Sequence, residues 1–127
     1  MQPFVLTGNP ITKKNSQAMA LNKKTGKMFP VQSKSYKDYE RSCLAQIETK
    51  RDLFWGDRPC NLKATYFMQT HGKVDLCNLL AATCDILVKS GVIADDNTRI
   101  VRSHDGSRVY YDKENPRVEV HITEAME

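Results

Sequence analysis

Between Asp75 and Asp96 the sequence lays out a complete structural unit, and no other stretch constrains the fold as much. Leu76, Leu79, Leu80, Thr83 and Leu87 recur at helical spacing from Asp75 to about Ser90, giving a helix with one apolar face that must be covered. Gly91 stands where a C-terminal cap belongs, since glycine adopts the left-handed backbone without a steric penalty. The apolar run Val92-Ile93-Ala94 follows and ends in Asp95-Asp96. Such a run is short enough to return along the helix as a strand.

The flanking sequence supplies the partners. Tyr36, Tyr39, Cys43, Leu44 and Ile47 predict a second helix over residues 36 to 50, with Ser35 as its N-cap. Residues 2 to 7 read as a short strand ended by Gly8-Asn9-Pro10, and the polar, basic stretch from there to about Lys27 reads as a long loop. Met28 to Val31 fits a short strand, and Leu62 to Gln69 a longer one. Arg99 to Ser103 and Arg108 to Tyr111 flank His104-Asp105-Gly106-Ser107, and Asp-Gly between β-prone runs predicts a hairpin. Val118, Val120 and Ile122 alternate as the last strand. The order is ββαβαβββ, which predicts an α+β fold: a single domain over residues 1–127, two α-helices packed on one mixed, mainly antiparallel sheet. Trp55 and Phe54, in the loop from Arg51 to Pro59, are expected to cover the core.

Composition narrows the function classes. At 127 residues, with 40% hydrophobic and 27% charged residues, the chain has the balance of a globular domain. Its apolar runs are too short to span a bilayer. The N-terminus lacks the pattern of a secretory signal, and the four cysteines follow no disulfide spacing, so a cytoplasmic setting is expected. Charge is segregated: residues 1 to 37 hold seven lysines and no acid, a net +7, which leaves −3 for the rest of a +4 chain. That distribution suits a polyanion such as nucleic acid, and equally a solubilising lysine segment.

Candidate chemistry gathers between Lys73 and Asp96. Asp75 at the helix start has N-capping as its simplest role. Asp75, Asn78 and Asp85 form a polar stripe opposite the leucines. A 16-residue helix is about 24 Å long, whereas six extended residues cover at most about 20 Å. Asp96 therefore returns near Asp75 only if the chain doubles back sharply. Converging carboxylates would bind a hard divalent cation such as Mg²⁺; separate ones are helix caps and solvated acids. Cys77 and Cys84, with His71, have the wrong spacing for one tetrahedral zinc site and read as buried or half-buried thiols. His104, beside the hairpin, reads as a turn-stabilising or solvent-facing residue.

Val74-Asp75-Leu76-Cys77-Asn78-Leu79, then Asp85-Ile86-Leu87, then Gly91-Val92-Ile93-Ala94-Asp95-Asp96 resembles the RusA family of Holliday junction resolvases. That family carries Asp-x-Asp-Asn-Leu at a helix start, Asp-x-Leu within the helix and Gly-x-x-x-Asp-Asp after it. The opening Gly8-Asn9-Pro10-Ile11-Thr12-Lys13-Lys14-Asn15-Ser16 is similar to the family's basic, Pro- and Asn-containing start. The resemblance implies a homodimeric, Mg²⁺-dependent endonuclease of phage or prophage origin, with Mn²⁺ as a substitute. It would resolve four-way branched DNA by symmetric paired nicks, in recombination and repair. Carried over residue by residue, it makes Asp75 and Asp96 metal ligands, Asp95 a neighbouring carboxylate of the same metal site, and Asn78 a polar support. Lys13, Lys14, Asn15, Lys23, Lys24, Lys73 and Arg102 are then the residues expected on nucleic acid.

Two positions depart from the family pattern. The second aspartate is Cys77, a soft and poor ligand for Mg²⁺. The lysine three residues after the Asn is Ala81, which removes a cation from the reacting phosphate. Asp85 or Asp95, with Lys73 or a loop lysine, would have to fill these gaps. The alternatives are a catalytically impaired protein that binds branched DNA without cutting it, or a general nucleic-acid-binding module.

Overall fold

Period-two alternation and two apolar helical stripes sort the chain into layers. The computed structural model describes residues 1–13, 17–50 and 52–125. In chain order its elements are β1 (Phe4–Thr7), β2 (Gln17–Leu21), β3 (Met28–Gln32), α1 (Lys34–Glu48), β4 (Cys60–Met68), α2 (Leu76–Lys89), β5 (Val101–Ser103), β6 (Arg108–Tyr111) and β7 (Arg117–Glu124). The main sheet has β1, β7 and β4 side by side, antiparallel, with β5 and β6 both along the free edge of β4. Cys60, Leu62, Ala64 and Tyr66 on β4 are buried, as are Val118, Val120 and Ile122 on β7. They share one core with Tyr36, Tyr39, Cys43 and Ile47 of α1 and with Leu79, Ile86 and Leu87 of α2. This is the expected α+β architecture.

Three local expectations need correction. The loop foreseen from Gly8 to Lys27 contains β2, which pairs with β3 as a separate two-stranded sheet. Asn22 closes its turn by accepting from Gly26 N and bonding Lys27 O through its own N–H, each at 2.8 Å. Met19, Leu21, Met28 and Phe29 on this hairpin are exposed, so these apolar side chains mark no core face in the sequence. Second, β5 and β6 do not pair with each other: each runs parallel to β4, beside Cys60–Asn61 and Thr65–Met68 respectively. The Asp105-Gly106 turn is present, with Gly106 at φ +86°, but it lets the chain step along β4 rather than reverse. Third, α1 is capped by Ser33, whose Oγ accepts from Tyr36 N at 3.2 Å, two residues before the expected Ser35. Trp55 is buried as expected, whereas Phe54 is 70% exposed.

A buried hydrogen-bonded pair joins α2 to the sheet. Thr83 Oγ1 donates to Leu79 O at 3.0 Å, so Tyr66 must be the donor in its 2.7 Å contact with Thr83 Oγ1. Removing the acceptor leaves the Tyr66 hydroxyl unpaired in the core. Thr83→Val is therefore expected to cost about 1–3 kcal/mol in urea unfolding, and Tyr66→Phe in the Thr83→Val background to recover part of it.

Candidate active site

Helix α2 carries the acidic residues in two groups. The first is at its N-terminus. Asp75 occupies the N-cap position with extended backbone (φ −86°, ψ 126°), but its side chain makes no capping hydrogen bond. Instead Asp75 Oδ2 accepts from Asn78 Nδ2 at 3.3 Å. The carboxylate is exposed and is not consumed by the backbone N–H groups that an N-cap aspartate normally serves. Position 77, on the same first turn, presents an exposed thiol, in contrast to the buried or half-buried one expected there.

The second group lies beside the C-terminal half of α2. Gly91, at φ +81°, turns the chain back, and Val92 N and Ile93 N both bond Leu87 O. Ile93 then bridges in parallel to Gly56, and Ala94 N donates to Gly56 O at 2.9 Å. The backbone so pinned delivers Asp95 and Asp96 into a tight loop: Asp96 N donates to Asp95 Oδ1 at 2.7 Å, and Asn97 Nδ2 donates to Asp95 Oδ2 at 3.2 Å. Desolvation raises the carboxyl of Asp96 above the ordinary carboxylate range, and the charges of Asp85 and Asp95 push the same way. Asp96 and Asp85 in turn add to the burial that holds the Cys84 thiol up at about 12. The charges of Asp85 and Asp95 thus both bear on Asp96 beside this part of the helix.

A cation from elsewhere in the chain answers them. Lys13 Nζ lies 2.5 Å from Asp85 Oδ2 and 5.9 Å from the centre of the Tyr36 ring. The pair is about one-third exposed on each side, so its contribution to stability is small; its consequence is position. Ala81 is one turn before Asp85 on α2, so Lys13 brings positive charge to the same face of the helix from which the missing lysine would project. The sequence flagged Lys13 as basic and Asp85 as polar, but no spacing rule pairs residues 72 positions apart.

The remaining expected residues are dispersed. Lys23 and Lys24 sit exposed at the turn of the β2–β3 hairpin, and Lys73 is exposed in the segment joining β4 to α2. Arg102, on β5, lies beside the start of β4, whereas Lys73 follows its end. Lys14 and Asn15 fall outside the described residues. His104 places Nδ1 2.8 Å from Leu62 O, which ties its turn to β4. Asp85 and Asp75 are ten residues apart, about 15 Å of helix rise. Among the described residues, no three His, Cys, Asp or Glu side chains stand close enough to hold an ion between them. One or two carboxylates, with water and phosphate oxygens completing the shell, is however the ordinary way a protein holds Mg²⁺. The all-oxygen donors at Asp75 and at Asp95–Asp96 fit that chemistry; the Cys77 thiol does not.

An α+β domain with one carboxylate at the start of a helix, others beside its later turns, and Lys13 paired to Asp85 on that helix has the components of a metal-assisted nuclease. The chain matches the family model of the endodeoxyribonuclease RusA over residues 7–123 and belongs to that family. No curated protein matches it. Among the described residues no helix is long and apolar enough to cross a membrane.

Proposed function

We propose that this chain is a divalent-metal-dependent endonuclease that resolves four-way DNA junctions by paired nicks, acting as a homodimer with Mg²⁺, or Mn²⁺ in its place. The observation that carries this reading is Asp75. It holds the family's helix-start position, yet its carboxylate is exposed and leaves the helix N–H groups alone, as a ligand must.

When bound, the ion neutralises phosphate charge and stabilises the leaving oxygen. Asp75 and Asp96 would hold it. Asn78 keeps the Asp75 carboxylate oriented through the 3.3 Å hydrogen bond, and Asp95 fixes the loop that presents Asp96. Lys13, beside Asp85, supplies the charge that Ala81 lacks. The lysines of the hairpin turn and Lys73 grip backbone phosphates, with Arg102 and the segment containing Lys14 and Asn15 extending that contact. A two-fold junction offers two equivalent phosphates, and an isologous dimer places one site at each.

A plasmid carrying an extruded cruciform tests this reading. Paired nicks convert it to linear product within one binding event, whereas nicked circles alone would contradict the paired mechanism. Lys13→Ala is expected to slow linearisation by roughly tenfold and to lower the salt slope of DNA binding by about one. A second reading has its own observation: Cys77 stands at a ligand position with the wrong chemistry, which favours a protein that binds junctions without cutting them.

A further inference from the structure

We infer that Tyr111 and His71 form a stacking platform for a nucleobase that has left the duplex stack, a specificity element next to the acidic site; this rests on the DNA-binding reading above. The two rings lie face on, 3.7 Å between centroids and 26° between planes. On the neighbouring residue, whose side chain alternates to the other face of the strand, Tyr110 stacks on Phe67 at 5.5 Å and 23°, and the Arg117 guanidinium lies over the Phe67 ring at 3.8 Å. Despite this packing, Tyr111 is 43% and Tyr110 50% exposed. The rings are held flat while part of their surface faces solvent. An open cavity of about 300 Å³ adjoins them, walled by Met68, Thr70, Val74 and Val109.

Position and charge select the occupant. β6 runs parallel to β4, with Tyr111 opposite Met68 at the C-terminal ends of both strands. The segment that follows β4 carries His71 and then Lys73, and Val74 of the cavity wall is joined directly to Asp75. Asn9 of the basic N-terminal region is tied to the same end, its Oδ1 accepting from Gln69 N at 2.9 Å. Lys73 and Arg108 are exposed, and neither enters an ion pair among the described residues. Arg117, by contrast, is committed to Asp112 and Glu119 at 3.0 and 2.9 Å. Flat aromatic surface in the segment that carries the free cation Lys73 suits a base with its phosphate, because every base has a π-face and stacks without regard to sequence. A junction crossover and an unpaired nucleotide are the places where duplex DNA offers such a base.

The test compares affinities at one stated salt concentration for a perfect duplex, the same duplex with one bulged thymine, and a four-way junction. Tyr111→Ala is expected to weaken binding to the bulged duplex and the junction by about tenfold and to the perfect duplex by less than about twofold. Tyr111→Phe, which keeps the ring, should bind as the parent does. Equal losses on all three DNAs, or no loss on any, would overturn the platform. So would a fall in molecular mass on gel filtration of Tyr111→Ala, which would assign the β6 edge to a second copy of the chain. If the parent prefers the bulged duplex through Tyr111 but not the junction, the platform stands and the junction reading fails.

Discussion

Asp96→Asn is expected to reduce strand cleavage by on the order of 100-fold or more, while the fold becomes no less stable. The catalytic loss follows from removing a carboxylate ligand, when altering even an outer partner of a metal ligand typically costs about 10–100-fold. The stability outcome follows from the electrostatics. Burial, Asp85 and Asp95 raise the carboxyl of Asp96 above its ordinary range, so the folded state binds that proton more tightly than the unfolded chain does. For an acid shifted upward, ionisation works against folding. The penalty is present above the folded pKa and disappears as pH falls below the unfolded one. At pH 7 the Asn variant should melt at the same temperature as the parent or higher, and the gap should close as pH drops through the carboxylate range. Thermal melts at both pH values, beside a nicking assay, check the two halves together. A variant that loses cleavage and also melts well below the parent at pH 7 would show that Asp96 is structural.

Cys77→Asp is expected to raise Mg²⁺-dependent cleavage by about tenfold or more, a gain rather than a loss. A thiol contributes little to a hard cation, whereas a carboxylate is the donor such an ion selects. The position tolerates the change: Cys77 is exposed, and the first turn of α2 carries no acid. A carboxylate there interacts favourably with the helix N-terminus, typically by about 0.3–1 kcal/mol. Single-turnover rates across a Mg²⁺ titration read the effect, with Cys77→Asn as the isosteric control that adds no charge. If Cys77→Asp cleaves no faster than the parent and needs no less Mg²⁺, the site does not draw on position 77. If the parent is inert and Cys77→Asp cuts, the natural chain is the junction binder of the second reading, and the family chemistry lies one substitution away.

The legible parts of this molecule were those written in local patterns. The leucine stripe and Gly91 gave α2 nearly to the residue, and the alternation of Val118, Val120 and Ile122 gave β7. β2 is illegible because Met19 and Leu21, which share one face of it, are exposed, so hydropathy carries no trace of the backbone pairing. Asp105-Gly106 predicts a reversal because a turn residue reports local backbone shape and not which strand its neighbours join. Both β5 and β6 found that partner in β4, more than 30 residues earlier in the chain. At the site, the aspartates were identifiable by position, but two facts came only with the fold. The Asp75 carboxylate is left out of the cap it occupies, and Lys13 reaches Asp85 across 72 positions. The pairing of Tyr111 with His71 is illegible for the same reason: one ends an edge strand and the other opens a connection, and only parallel pairing stacks them.

The most direct test incubates the purified protein with a synthetic four-way junction in Mg²⁺ and, separately, in EDTA, beside the sequence-matched linear duplex and the Asp96→Asn variant. Nicks on the junction that require Mg²⁺, spare the duplex and vanish in Asp96→Asn are the expected result. A junction bound tightly but left whole in both Mg²⁺ and Mn²⁺ would contradict the nuclease reading.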